Sequence, residues 1–307
     1  MPATLTRRSL LAGLFAALPG SGATRPPGLL IDTHIHLFDP QRFPYHANAT
    51  YRPAAQPLEN YLEFARQAKI DHVVIVHPEP YQDDHRYLEY CFAHEPSRLF
   101  FKGTCLFDPV APDTPARLEA LVKKLPGRIV AMRVHATEDP KKPPTTSGAI
   151  RDRDLGSPAM LATWRKAHSL GLAIQMHFIP AYAPRIYKLA AELRDMPVIL
   201  DHMGRRGEGT EAEYAEVLRL AGLPRVSMKY SGVEYSSKQP YPHADVKPLV
   251  RRLFDAFGPD RLIWGGLGMN MAAFERQRAM LEQMFDFATE ADRARIRGLT
   301  AAKLYGF

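Results

Sequence analysis

Six of the twelve histidines fall at or just past the ends of short apolar runs: His34, His36, His77, His135, His177 and His202. Asp32-Thr33-His34-Ile35-His36 closes the first of these runs. In an extended chain the side chains at i and i+2 point the same way, so His34 and His36 aim at one place. Neutral imidazoles so paired suit a zinc ion, with nitrogen–metal distances of about 2.0–2.1 Å. They equally suit direct work on a substrate as acids, bases and donors. His34, His36 and His177 would make a three-nitrogen metal set, and His202 adds a fourth imidazole from a neighbouring run. One divalent ion, zinc foremost, and a metal-free site fit these residues equally. The other six histidines (His46, His72, His85, His94, His168 and His243) read as solvated or packed.

Cationic and aromatic residues accompany the histidines. Arg133 stands two residues before His135, so both face alike, and Lys229 lies near the end of the seventh apolar run. Arg205 and Arg206 follow the sixth run. With Tyr45, His77, Tyr230 and Asn270 they would line a basic, partly aromatic mouth suited to a small anionic substrate. The nearest carboxylate in sequence is Glu234, just beyond the seventh run, a candidate base. His135 is another, since an ordinary imidazole titrates near ~6.5. Strand alternation turns Asp201 away from His202 and predicts a supporting role for it.

Eight elements must position these groups. Apolar runs recur at Leu30–Leu37, His72–His77, Phe100–Phe107, Ile129–His135, Leu172–Phe178, Val198–His202, Val226–Ser231 and Leu262–Gly265. Their spacing averages about 33 residues, the size of a strand–helix unit. They are nearly continuous in Val, Ile, Leu and Phe, as strands buried on both faces should be. Amphipathic stretches separate them at Leu58–Lys69, Pro115–Lys124, Pro158–Ser169, Pro184–Leu193, Glu211–Ala221 and Asp245–Phe257. Met271–Phe285 follows the last run, and Thr289–Leu304 predicts a terminal helix. The pattern predicts the α/β class and a (β/α)8 TIM barrel, whose strand C-terminal ends form the catalytic face. No Gly-x-Gly-x-x-Gly follows the first run, which argues against a dinucleotide-binding open sheet.

The chain has 307 residues, 46% apolar and 24% charged, and a formal charge of +7. That composition excludes disordered, collagen-like and coiled-coil classes. No Lys/Arg run exceeds two residues, which argues against nucleic-acid binding. Cys91 and Cys105, the only cysteines, exclude a disulfide scaffold and an all-cysteine zinc site. Thr6-Arg7-Arg8-Ser9-Leu10-Leu11, a short apolar stretch to Leu18 and the small residues to Ala23 predict a twin-arginine signal peptide over residues 1–23. The barrel domain would then be 24–307, periplasmic or secreted, without membrane insertion of the mature chain. Assembly into a homo-oligomer is left open by the sequence.

Taken jointly, several motifs resemble one family. They are Ile31-Asp32-Thr33-His34-Ile35-His36, Gln175-Met176-His177, Ile199-Leu200-Asp201-His202-Met203-Gly204 and Lys229-Tyr230-Ser231-Gly232. Arg261-Leu262-Ile263-Trp264-Gly265 and the terminal Ala301–Phe307 complete the set. The chain from Ile31 to Phe307 resembles the amidohydrolase-related proteins, which include 2-pyrone-4,6-dicarboxylate lactonase and sugar-acid lactonases. The resemblance implies a (β/α)8 barrel that hydrolyses a small anionic lactone, ester or similar carbonyl substrate. Some members use one divalent metal, and the lactonase branch is largely metal-independent. One position departs. The family places an aspartate after the Trp-Gly of strand eight, where it takes a proton from the attacking water. Here Leu267 stands in that place. The departure keeps a second reading open: a lyase, isomerase, cyclase or non-catalytic ligand-binding protein on the same barrel.

Overall fold

The structure is a computed structural model describing residues 28–267 and 270–307. The leader expected over residues 1–23 lies outside the described residues. Eight parallel strands pair in sequence order: β1 Ile31–Ile35, β2 His72–Ile75, β3 Phe101–Cys105, β4 Ile129–Ala136, β5 Ala173–Phe178, β6 Val198–Leu200, β7 Val226–Tyr230 and β8 Leu262–Trp264. All eight strands predicted from the apolar runs form, most with trimmed ends.

Helices follow the strands as α1 Leu58–Ala68, α2 Arg86–Ala93, α3 Thr114–Lys124, α4 Pro158–Ser169, α5 Ala183–Glu192, α6 Glu211–Arg219, α7 Lys247–Phe257 and α8 Met271–Met284. Their starts are written in the sequence. Ser157 accepts from the Met160 amide, with Pro158 at the first helical position. Thr210 and Glu213 form a capping box. The single terminal helix expected over Thr289–Leu304 is instead three pieces: α9 Glu290–Ala294, a π turn Arg295–Leu299 and α10 Thr300–Tyr305. The π turn contains Gly298, whose missing Cβ leaves room for the Leu29 carbonyl.

The lower barrel interior is a dry layer of Ile31, Val74, Ala131, Ala173, Ile199 and Ile263, plugged from below by Ala301 and Tyr305. Full burial of each large aliphatic side chain stabilises by roughly 1.5–3 kcal/mol. Lys102 fixes the plug by donating from Nζ to the Tyr305 and Gly306 carbonyls at 2.6 and 2.8 Å. The barrel is nearly closed. Where β8 meets β1, Thr33 Oγ1 donates to the Trp264 carbonyl at 2.6 Å and the Leu267 amide to the His34 carbonyl at 3.2 Å. Cys91 and Cys105 are buried free thiols. No helix among the described residues is long and apolar enough to cross a membrane.

Candidate active site

The dry layer sets the phase of every strand above it. On β4 and β5, Ala131 and Ala173 face inward, so Arg133, His135, Gln175 and His177 do too. On β1 the same rule would send His34 and His36 outward, because Ile31 is inward. The β1–β2 register slips between Asp32 and Ile35, and this irregularity brings both histidines into the mouth. On β6, Ile199 is inward, so Asp201 is inward as well. His202 enters the site by leaving the strand: its φ is +54°. Asp201 thus faces into the site, the reverse of the orientation expected from alternation with His202. Asp201 lies at the centre of the site floor.

Asp201 is fully buried, with three hydrogen-bond donors on one oxygen and an ammonium beside the other. Its Oδ2 accepts from Arg133 Nε and Nη2 at 3.2 and 3.0 Å and from Gln175 Nε2 at 3.0 Å. Its Oδ1 stands 3.2 Å from Lys229 Nζ. Burial alone would raise its pKa, but the Lys229 and Arg133 charges hold the carboxyl well below the usual range. Lys229 also donates to the Thr33 carbonyl at 3.0 Å and reaches to 3.5 Å from His34 Nδ1.

These contacts assign hydrogens. His36 Nδ1 meets the Val76 carbonyl at 2.7 Å, and a carbonyl only accepts, so His36 carries its hydrogen on Nδ1 and a lone pair on Nε2. His34 Nε2 lies 3.3 Å from that lone pair and donates to it. His34 Nδ1 is then an acceptor facing the Lys229 ammonium. The chain runs one way, from Lys229 through His34 and His36 to the Val76 carbonyl.

Above this floor opens a cavity of about 580 Å³, the size of a small-molecule site. His36, His135, His177 and His202 line it, with Arg133, Arg151 and Arg205, the carboxylates Glu79 and Glu234, and Tyr51, Tyr235 and Leu267. Burial, reinforced by the nearby guanidinium and ammonium charges, pushes His36 and His202 down to about 3. The same causes hold His34, His135 and His177 well below an ordinary histidine. All five imidazoles are therefore neutral at pH 7. His202 Nδ1 is held by Ser231 Oγ at 2.9 Å. His177 Nε2 meets the Arg205 guanidinium at 2.6 Å, and Arg205 is braced by Glu208 and the face of Tyr235. His135 Nε2 and His177 Nδ1 are buried without a protein partner.

Several expected residues lie elsewhere. Lys229 is fully buried beneath the mouth rather than on substrate, because Asp201 and the Thr33 carbonyl engage its ammonium. Tyr45 packs on Tyr81 and Phe38 and donates to the Pro53 carbonyl. His77 is buried against His85, with Nε2 on the Gln82 carbonyl. Asn270 caps α8 through the Ala273 amide. Tyr230 is buried against Phe285. The expected metal set His34, His36 and His177 also changes. Among the described residues the compact ligand-type group is His34, Asp201 and His202, and His177 has given its Nε2 to Arg205. Glu79, Tyr51, Arg151 and Tyr235 escaped the sequence reading. They sit on loops above strand ends, where position on the catalytic face was the only available signal.

The chain matches the amidohydrolase family over residues 31–307. It is 27% identical over 294 residues to a 4-sulfomuconolactone hydrolase of Hydrogenophaga intermedia, covering 92% of this chain and 89% of that protein. It is 28% identical over 296 residues to an L-fucono-1,5-lactonase of Burkholderia ambifaria, covering 90% and 94%. Among solved structures, a probable 2-pyrone-4,6-dicarboxylic acid hydrolase of Acinetobacter baumannii with citric acid bound superposes with a TM-score of 0.72. It has 19% identity, over 91% of this chain and 99% of that one.

Proposed function

The chain belongs to the amidohydrolase family, and from that premise we propose that it is a hydrolase opening a small anionic lactone at its C–O bond. One observation carries the reading: Arg133, Arg151 and Arg205 converge on a single cavity walled by neutral imidazoles. Guanidiniums pair with carboxylate or sulfonate groups in bidentate fashion, and a ring of that kind fits the cavity. The two relatives named for lactone hydrolysis support the same chemistry.

The residues divide the work. The guanidiniums hold the acidic substituents and favour negative charge developing on the ring carbonyl oxygen. His36 and His202 offer fixed imidazoles toward the ring, each held through its Nδ1. Water adds to the carbonyl carbon, the ring C–O bond breaks, and the departing oxygen receives a proton. With Leu267 in the aspartate's place, Glu234 takes the proton from water. It is an exposed carboxylate on the cavity wall, and no side chain among the described residues engages it. Glu79 is less free, since it accepts from the Thr50 amide and Gln82.

The donor set does not fit a divalent cation. Asp201 is the floor's central anion and already serves Arg133 and Lys229, and His34 Nδ1 already faces an ammonium. No step is assigned to a metal. The twin-arginine pattern supports a periplasmic or secreted place for the reaction.

The test is ring opening of carboxylated or sulfonated lactones, followed by proton release, against neutral analogues. The acidic substrates should be preferred by roughly tenfold or more in kcat/KM. Replacement Glu234→Gln should cost ~10²–10⁴ in kcat. Equal rates on neutral lactones would refute the reading. The substitution of Leu267 for the aspartate favours a non-hydrolytic lyase or isomerase as the second reading, and conversion of the acids to a product that has gained no water would select it.

A further inference from the structure

The buried floor of the site holds a cation of its own. We propose that the Lys229 ammonium is the resident cation of the His34–Asp201–His202 set, that it keeps divalent metals out, and that removing it creates a metal site. Three observations carry this. Lys229 Nζ stands 3.2 Å from Asp201 Oδ1 and 3.5 Å from His34 Nδ1, two members of the three-residue group whose ligand atoms lie within 4.8 Å of one another. Its stem is fixed rather than tethered loosely. It rises from β7, is fully buried, and passes so close to Gly265 that a Cβ there would meet Lys229 Cδ at 3.3 Å.

The second observation is the hydrogen pattern. Binding a metal through His34 Nδ1 requires the lone pair that faces Lys229. Binding through His34 Nε2 requires the hydrogen to move to Nδ1, where it would point at an ammonium. Lys229 thus competes with a metal for Nδ1, and it opposes the tautomer that would free Nε2, whose Nδ1 hydrogen would lie between the ammonium and Asp201 Oδ1 at 3.7 Å. The third is charge. A divalent ion here would join Lys229 and Arg133 around Asp201, the single carboxylate in contact with both.

The proposal concerns metal binding alone and stands apart from the substrate assigned above. Chelator-stripped full-length protein is titrated with zinc chloride against a chromophoric chelator, and retained zinc is counted by plasma mass spectrometry after gel filtration. The natural protein should retain no stoichiometric zinc. Lys229→Met should hold about one zinc per chain, at least roughly a hundredfold tighter, because a like charge has left the set and His34 is free to ligate. Adding His34→Ala to that variant should abolish the gain, which places the ion. Lys229→Gln retains a donor for the Thr33 carbonyl and serves if the methionine variant fails to fold, with circular dichroism as the check. One zinc per chain in the natural protein, bound as tightly as in the variant, would overturn the proposal. So would a folded Lys229 variant that gains none.

Discussion

Asp201→Asn is the sharpest perturbation of the buried floor. It removes the one anion shared by Lys229 and Arg133 and leaves both cations out of water. At 3.0–3.2 Å and an effective dielectric near 20, each attraction amounts to roughly 5 kcal/mol before desolvation is set against it. Asparagine also turns an amide toward donors: its NH2 must face either the Lys229 ammonium or the Arg133 and Gln175 groups. Breaking a buried pair from one side typically costs about 3–5 kcal/mol. Lys229 can shed its proton to relieve the clash, which limits its share at pH 7 to about 5 kcal/mol from its usual pKa near ~10.4. We therefore expect a loss of about 4 kcal/mol in urea unfolding at neutral pH. The double replacement Asp201→Asn/Lys229→Met should recover about 2 kcal/mol of it, because the orphaned ammonium is gone. A single-variant loss below about 1 kcal/mol, or a double variant at the sum of the single losses, would refute the shared-anion account.

Three further outcomes follow from the same geometry. Burial lifts the Asp32 carboxyl from 3.8 to about 6 despite amide donors from His34 and Gly266, so its ionisation opposes folding above that pH by about 3 kcal/mol. This raised pKa penalises the fold increasingly as pH rises from 3.8 through 6; Asp32→Asn should stabilise the protein at pH 8 and lose that advantage by pH 4, and a difference independent of pH in thermal unfolding would count against it. Arg205→Met should raise KM for an acidic lactone by ~10–100-fold with a smaller change in kcat, and an unchanged KM would remove Arg205 from substrate binding. Leu267 holds φ at +54° on the cavity wall, where aspartate is better tolerated than leucine. Leu267→Asp should therefore fold and should restore ring opening to the Glu234→Gln variant, whereas a folded double variant without activity would show that the position no longer reaches the attacking water.

The strands were legible because parallel strands covered on both faces read as continuous apolar runs, and β4, β5, β7 and β8 fall within a residue of the expected bounds. The histidines were legible because strand ends are few and chemistry-bearing residues concentrate there. What period two could not supply was phase. It put His34 and His36 together correctly, yet Ile31 in the floor and His34 in the mouth have opposite parity, and only the slip beside β2 reconciles them. The same rule moved Asp201 out of the site, because it assumed His202 was still strand. A positive φ at a histidine leaves no mark in composition. A cation near a strand end reads as a binding group, so the sequence alone assigns Lys229 to substrate. Its burial depends on Asp201, which the parity argument had already misplaced. Arg151, Tyr51 and Glu79 reach the cavity from loops, whose course is fixed by tertiary contacts such as Arg151 on Asp152.

Leu267 stands where the resemblance implies an aspartate, and the seam shows that the barrel closes without that side chain. β8 meets β1 through atoms that do not involve the side chain at position 267: Thr33 Oγ1 on the Trp264 carbonyl, the Leu267 amide on the His34 carbonyl, and the Gly266 amide on Asp32 Oδ1. Two glycines make the approach close enough. A Cβ at Gly265 would fall 2.6 Å from His34 Cβ, and one at Gly266 would fall 2.8 Å from Asp32 Oδ2. The closure therefore constrains Gly265 and Gly266 tightly and leaves Leu267 free to change. The base for water can then come from another wall without cost to the fold, while the Asp201 floor, on which two buried cations depend, cannot be exchanged so cheaply. Chemistry at the rim and charge balance at the floor are separable in this barrel, and the rim is where its reaction should be altered.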